Sequence, residues 1–312
     1  MTATAGRGTR RDEARRPVAG VVAAATGVLL WGVLLVTTRW VEEVNGLALG
    51  FHRLWVGAAG ATLALVIAGG RPTRRTLRIA LPGGILFGAD IGLFFSAIKL
   101  TTVANATIVA ALQPAALLLV GRRRFGERIT PVLVALTMAG IAGAALVVLG
   151  SSGSDEWSPL GDVLAVLALV SWAGYFVASK QAREQLSSLE YLSAFLLIAT
   201  VTLAPVALLF GGRLRLESAD SWAWVVTFAL FSGGVGHWLM NWAHAHIPLY
   251  LTSLLTLSIP VVSTGTAALL LGEDIVALQV VGMAVVLVAL GFVIFRTETE
   301  EDEIVEGVAI EA

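Results

Sequence analysis

Ten apolar stretches of about twenty residues, nearly free of charge, run through this chain and decide what it can fold into. The hydrocarbon core of a bilayer is roughly 30 Å thick and holds no water, so each such stretch must satisfy its backbone N–H and C=O groups internally, as a helix. With 57% hydrophobic and 14% charged residues and a mean hydropathy of +0.84, the chain is far more apolar than a soluble domain, where about a quarter of residues are charged. The spans fall at 18–38, 46–68, 79–98, 100–121, 130–150, 160–179, 191–212, 222–243, 247–271 and 275–295. The expected fold class is an all-α integral membrane protein of ten transmembrane helices.

The ten spans divide into two copies of one unit. Pro114 precedes Gly126-Glu127 by the spacing that separates Pro260 from Gly272-Glu273, an offset of 146 residues. At that offset Gly88 meets Gly234, Leu93 meets Leu239, Ala97 meets Ala243 and Thr107 meets Ser253, without a gap. The first spans align at 141 residues: Leu30-Trp31-Gly32 and Thr38-Arg39 recur as Ser171-Trp172-Ala173 and Ser179-Lys180. The first stretch therefore belongs to the repeat and reads as a retained span, not a cleaved secretory signal. The organisation is a basic arm at 1–17, five-helix repeats at 18–150 and 160–295, and a tail at 296–312. Residues 297–312 hold seven acidic side chains and no Lys or Arg, a composition expected to be disordered.

Five is odd, so the second repeat crosses the membrane inverted relative to the first. Two inverted halves can exchange conformations about one central site, the architecture of secondary transporters. Orientation follows from the cations. One side collects Arg7, Arg10, Arg11, Arg15, Arg16, Arg71, Arg74, Arg75, Arg78, Arg122, Arg123, Arg124, Arg128, Lys180, Arg183 and Arg296; the other holds Arg39, Lys99, Arg213 and Arg215. By the positive-inside rule both termini are expected in the cytoplasm, with the protein in the cell membrane.

Two five-helix units, each with a Trp near the end of its first helix, a Pro inside its fourth and Gly-Glu opening its fifth, resemble the EamA family of the drug/metabolite transporter superfamily over residues 19–295. Asp90-Ile-Gly-Leu-Phe-Phe-Ser-Ala-Ile, Thr102-Val-Ala-Asn-Ala-Thr107 and Gly236-His237-Trp238-Leu-Met-Asn241-Trp242-Ala are similar to one subgroup of its bacterial members. The resemblance implies a carrier of small organic metabolites or drugs, often an exporter, with its substrate cavity between the halves.

The residues narrow the energy source. No Gly-x-x-x-x-Gly-Lys-Ser/Thr loop is present, so ATP does not drive the protein directly, and no cofactor or nucleic-acid partner is called for. A proton gradient requires a titratable group at membrane depth. Asp90 lies near the middle of the third span, where a carboxyl costs at least about 2.5–3.5 kcal/mol, and can take up a proton or serve as counter-ion to an ammonium. His237, Asn241 and His244 share one face of the eighth span at i, i+4 and i+7, and His237 is taken with Asp90 as the proton or amine site. No Glu or Cys joins them, which argues against a metal; His244 and His246 read as interfacial. The chain has no cysteine, and neither a thiol nucleophile nor a ligand triad supports a membrane-embedded enzyme.

The expected substrate cavity comprises Trp31, Arg53, Phe94, Asn105, Trp172, Tyr175, Trp238 and Asn241. The aromatic members suit planar or cationic solutes. Arg53, the one cation inside a span, is expected to play a structural or gating part, snorkelling outward, pairing with Asp90 or holding a substrate carboxylate. Gly84, Gly88 and Gly92 read as a close-packing stripe, and Glu127 and Glu273 as acids favoured at the starts of the fifth helices. Proton-coupled export of a small organic solute is the leading expectation. The alternatives are a facilitator or importer of an amino-acid-like metabolite and, behind them, a non-transporting membrane scaffold or an enzyme.

Overall fold

A computed structural model describes residues 17–101, 103–150 and 158–310, in backbone alone at 103–104 and 297–310; the basic arm, up to residue 16, lies outside the described residues. Ten of its helices are long and apolar enough to cross a membrane, and each overlaps one of the expected stretches. They are α1 (Pro17–Thr37), α2 (Gly46–Ile67), α3 (Arg74–Ala97), α4, α5 (Pro131–Gly150), α6 (Pro159–Ala182), α7 (Ser188–Phe210), α8 (Ala219–His244), α9 and α10 (Ala277–Ile310). α4 is broken into α4a (Val103–Ala110) and α4b (Gln113–Phe125), and α9 into α9a (Leu249–Leu255) and α9b (Ile259–Leu271).

Local chemistry sets these limits. Asn45, Thr73, Ser158, Ser187 and Ser218 each stand just before a helix and accept one of its first-turn N–H groups, which have no intrahelical acceptor. Pro114 and Pro260 sit at the first turns of α4b and α9b. Proline lacks an N–H and its ring collides with the carbonyl four residues back, so the helix cannot run through. Hydroxyls repair the break in α9: Ser253 donates to the Tyr250 carbonyl at 2.8 Å, Thr256 to Ser253 at 2.6 Å and Ser258 to Leu255 at 2.7 Å. α8 contains a π-helical stretch, Phe228–Gly236, that widens the turn ahead of His237. Where a disordered tail was expected, the backbone of α10 continues helical to Ile310, in keeping with the good helix propensity of glutamate.

Packing reproduces the repeat. The contact of α3 with α6 mirrors that of α8 with α1, and α3 with α7 mirrors α8 with α2; α2 with α7 and α5 with α10 map onto themselves. Apolar side chains gain nothing by leaving lipid for one another, so tight association depends on small residues that let backbones approach. A Cβ on Gly88 would lie 2.7 Å from the Ala199 carbonyl oxygen of α7, and one on Gly282 would lie 2.6 Å from the Gly143 carbonyl oxygen across the α5–α10 crossing. The glycine stripe of α3 is thus a packing face, and it turns Asp90 away from α7.

One membrane face, here the terminal face, carries both described chain ends. On the opposite face the α1–α2 and α7–α8 connections are latched together. Glu43 accepts from the backbone N–H of Glu217, from that of Ser218 at 3.1 Å and from the Ser221 hydroxyl at 2.8 Å, capping the start of α8. His52 bonds the Leu214 carbonyl through Nε2 at 2.6 Å and accepts from the Trp55 indole at 2.9 Å, while Trp222 packs on both rings.

Two outcomes follow. Gly88→Ala places a Cβ against rigid backbone and should destabilise the bundle by about 1–3 kcal/mol. Gly92→Ala, which meets only side-chain ends, Leu203 at 3.2 Å and Val206 at 3.9 Å, should lower the melting temperature far less. The bonds to Glu43, that from the Glu217 amide first, hold its carboxyl down from 4.5 to about 2. A lowered carboxyl contributes stability in full above its unfolded value and loses it as pH falls through the folded one. Glu43→Gln should therefore melt earlier than the parent at neutral pH, with the gap closing between pH 4.5 and about 2.

Candidate functional site

The centre of the bundle is a line of polar side chains joined by hydrogen bonds. Arg53 of α2 reaches inward, its Nη2 3.1 Å from Nε2 of His237 on α8, with its guanidinium 4.9 Å over the Phe228 ring. Arginine only donates, so His237 Nε2 accepts and the ring proton sits on Nδ1. Nδ1 lies 3.1 Å from the Tyr175 hydroxyl of α6, which donates to Asn241 Oδ1 at 3.0 Å. Ser179, one turn on from Tyr175, donates to the same oxygen at 2.8 Å and stands 2.8 Å from His244 Nδ1. Since the Ser179 proton is committed to Asn241, His244 Nδ1 is the donor in that pair. Arg183 and Lys180 bond the Asn241 and Ile247 carbonyls at 3.1 and 2.8 Å, tying the end of the line to the terminal face.

The donors run from both ends toward Asn241 Oδ1. An amide oxygen that accepts from two hydroxyls has no proton to hand on, so the line braces α2, α6 and α8 and does not conduct protons. A ring cage surrounds His237: Trp31 at 4.6 Å, Phe87 at 4.8 Å and Phe195 at 5.9 Å between centroids. The Trp31 indole donates to the Ser232 carbonyl in the π-helical stretch at 3.0 Å, and Trp172 packs edge-on against Trp31 at 5.8 Å.

Asp90 faces this cluster from α3. It lies deep in the molecule yet keeps some accessible surface, forms no hydrogen bond or close ion pair among the described residues, and interacts electrostatically with Arg53. Arg53 thus interacts with both members of the pair expected as one site, by a hydrogen bond with His237 and electrostatically with Asp90. The outward snorkelling considered for Arg53 does not occur, because His237 offers an acceptor inside.

The sequence-expected cavity residues separate into three sets. Arg53, Asp90 and Trp172 are partly accessible around the centre. Trp31, Tyr175, His237 and Asn241 are buried, the last three at 0% exposure; the Tyr175 hydroxyl, both His237 ring nitrogens and Asn241 Oδ1 are engaged within the line, while Asn241 Nδ2 has no hydrogen-bond partner among the described residues. Phe94, Asn105 and Trp238 lie apart. Phe94 packs with Ala97, Ala106 and Ala165, and Asn105 is 3.5 Å from Thr101. Trp238, 40% exposed, is turned about 100° from His237 by the next helical step. His244 is not interfacial: at 1% exposure it belongs to the polar line, and His246 is stacked on Trp242 at 3.7 Å. Sequence reasoning missed Ser179 and Phe87. Ser179 carried one signal, being the repeat mate of Thr38 on the same face as Tyr175; Phe87 carried none.

The halves are not in the same state. Leu35, Arg39, Ser263, Thr264, Glu273 and Gln279 line a cavity of about 470 Å³ toward the opposite face. Their mirror positions at the terminal face include Phe176, Ser179, Leu117, Leu118 and Leu133, all buried. α4b packs on α9a, whereas α4a and α9b stand apart.

A ten-span inverted repeat with charged side chains at its centre and a cavity toward one face has the architecture of a carrier. Residues 18–149 and 159–295 each match the EamA-like transporter family, and the chain belongs to that family, whose members are transporters and not enzymes. It is 28% identical over 247 residues to the aromatic amino acid exporter YddG of Ancylobacter novellus, covering 77% of this chain and 84% of the relative. A solved crystal structure shares the fold, with a TM-score of 0.76 at 24% identity, over 87% of this chain and 95% of the other.

The line can be tested through its hydroxyls. Tyr175→Phe strands a buried N–H on His237 and a lone pair on Asn241, and should cost about 1–3 kcal/mol in thermal melts. Tyr191→Phe is the contrast: its buried hydroxyl lies near Ser179 but outside hydrogen-bond geometry, so its loss should leave the melting temperature unchanged or raised.

Proposed function

We propose that this protein is a proton-coupled exporter of small amphipathic amino compounds, working by alternating access in the cell membrane with both termini in the cytoplasm. The observation that carries the reading is Asp90: a carboxyl at mid-span, partly accessible and without a hydrogen-bond partner among the described residues. Such a group can neutralise itself with a proton or with a substrate ammonium, but not with both at once. Loading one releases the other, which is the requirement for exchange of solute against protons. Trp172, partly accessible and packed against Phe87 of α3, offers an aromatic surface, and the cation count of sixteen against four supports the orientation. Export and the first substrates to try, the aromatic amino acids, are suggested by the named relative.

A second reading is favoured by Arg53, whose Nε is buried and unpaired although its Nη2 is engaged. An accessible guanidinium opposite Asp90 suits a zwitterion, with carboxylate on Arg53 and ammonium on Asp90. The protein would then serve as a facilitator or importer of an amino-acid-like metabolite.

Radiolabelled phenylalanine and tryptophan flux into proteoliposomes, with and without an imposed pH gradient, separates the two. Export coupling requires that Asp90→Asn, purified as a monodisperse protein, lose the stimulation by the gradient; unchanged pH dependence removes Asp90 from the mechanism. Arg53→Gln should weaken solute binding at least about tenfold if a carboxylate rests on it, the loss expected when a charge-assisted pair is broken.

A further inference from the structure

The repeated Gly-Glu does different work in its two copies. Gly126 and Gly272 end α4b and α9b in the same left-handed conformation, φ +67° and +69°, which returns the chain so that the following glutamate points back along the bundle. Glu127 was expected to serve its own fifth helix. It crosses instead to the other repeat, where Oε1 accepts the N–H of Leu249 at 2.6 Å and Oε2 that of Tyr250 at 3.2 Å. Those are the first two residues of α9a, whose amides have no acceptor within the helix. Lys180 lies 3.6 Å from the same carboxylate, which is 8% exposed. This contact pins α9a over the terminal end of the bundle.

Glu273, the mate of Glu127, holds no helix. It pairs at 2.7 Å with Arg39, the mate of Lys180, and both are substantially exposed, at 44% and 65%. The pair lines the cavity of about 470 Å³. The mate of α9a is α4a, whose first two residues, Val103 and Ala104, are the counterparts of Leu249 and Tyr250.

We propose that Glu127 and Glu273 are alternating latches. When the terminal face opens, Glu127 leaves α9a, and Glu273, accompanied by Arg39, accepts the N–H groups of Val103 and Ala104 and draws α4a over the opposite face. Each state then has one helix start held by a carboxylate and one ion pair left at an open mouth. The exchange conserves the kind and number of bonds, which keeps the two states close in energy. The inference rests on transport by alternating access, but not on the solute or the coupling ion.

The chain has no cysteine, so single reporters can be read without background. Ser253→Cys, buried in α9a, reports opening of the terminal face, and Thr264→Cys, in the cavity, reports the opposite face. Each is introduced into the full-length protein in detergent and labelled with a bulky charged maleimide, so that no substrate is needed. The ratio of the Ser253→Cys rate to the Thr264→Cys rate should rise about tenfold in Glu127→Gln, fall by a similar factor in Glu273→Gln, and return toward the parent value in the double variant. Glu127→Asp keeps the charge but shortens the reach, and should also raise the ratio, which covers the case in which Glu127→Gln does not fold. An unchanged ratio in both Glu127 variants overturns the terminal latch. A ratio that rises or holds in Glu273→Gln overturns the mirrored one. Because flux is not measured, neither result depends on the proposed substrate or on Asp90.

Discussion

A polar atom inside a bilayer has no solvent to fall back on, and the structure is organised around that fact. Backbone groups are taken up by the helices, and where proline interrupts them, serine and threonine hydroxyls collect the freed carbonyls. Side chains obey the same demand at longer range. The Arg53, His237, Tyr175, Asn241, Ser179 and His244 line joins three spans through successive hydrogen bonds, leaving Arg53 Nε, Asn241 Nδ2 and His244 Nε2 without partners among the described residues. Asp90, partly accessible and without a hydrogen bond among the described residues, is the group to which we assign the exchanged charge.

Symmetry supplies the motion and asymmetry the chemistry. The major helix contacts come in mirrored pairs, which is what the proposed exchange between two arrangements requires. The polar line breaks this pattern. The repeat mates of Tyr175, His237, Asn241 and His244 are Leu34, Ile91, Phe95 and Ile98, so hydrogen bonds knit one half while side-chain packing holds the other. Hydrogen bonds between membrane helices are individually modest, about 1 kcal/mol, but a continuous set fixes relative positions more sharply than apolar contact does.

Much of the fold was legible in the sequence because bilayer and repeat each impose a strict periodicity. Span number, inversion, the breaks at Pro114 and Pro260 and the packing role of Gly84, Gly88 and Gly92 all follow from residue type and spacing. The site was legible only in part. Burial of His237, Asn241 and Arg53 could be expected from their places in apolar spans, and their direct connection could not. Trp238 and His244 were misplaced because a boundary position or a neighbouring motif residue says nothing about which way a side chain faces. Glu127 was placed at a helix start for a sound electrostatic reason, yet the helix it serves is 122 residues away in sequence.

The sequence alone therefore determined that this chain spans a membrane ten times as two inverted units with a carboxyl and a guanidinium at depth, since hydropathy, charge bias and repeat spacing are properties of the chain itself. Tertiary structure alone decided that Arg53 bonds His237 and interacts electrostatically with Asp90, that Asn241 Oδ1 accepts hydrogen bonds from both Tyr175 and Ser179, and that one of two identical Gly-Glu turns holds a helix start while the other, among the described residues, holds none. Those are relations between groups brought together from distant spans, and only the packed bundle sets which donor meets which acceptor.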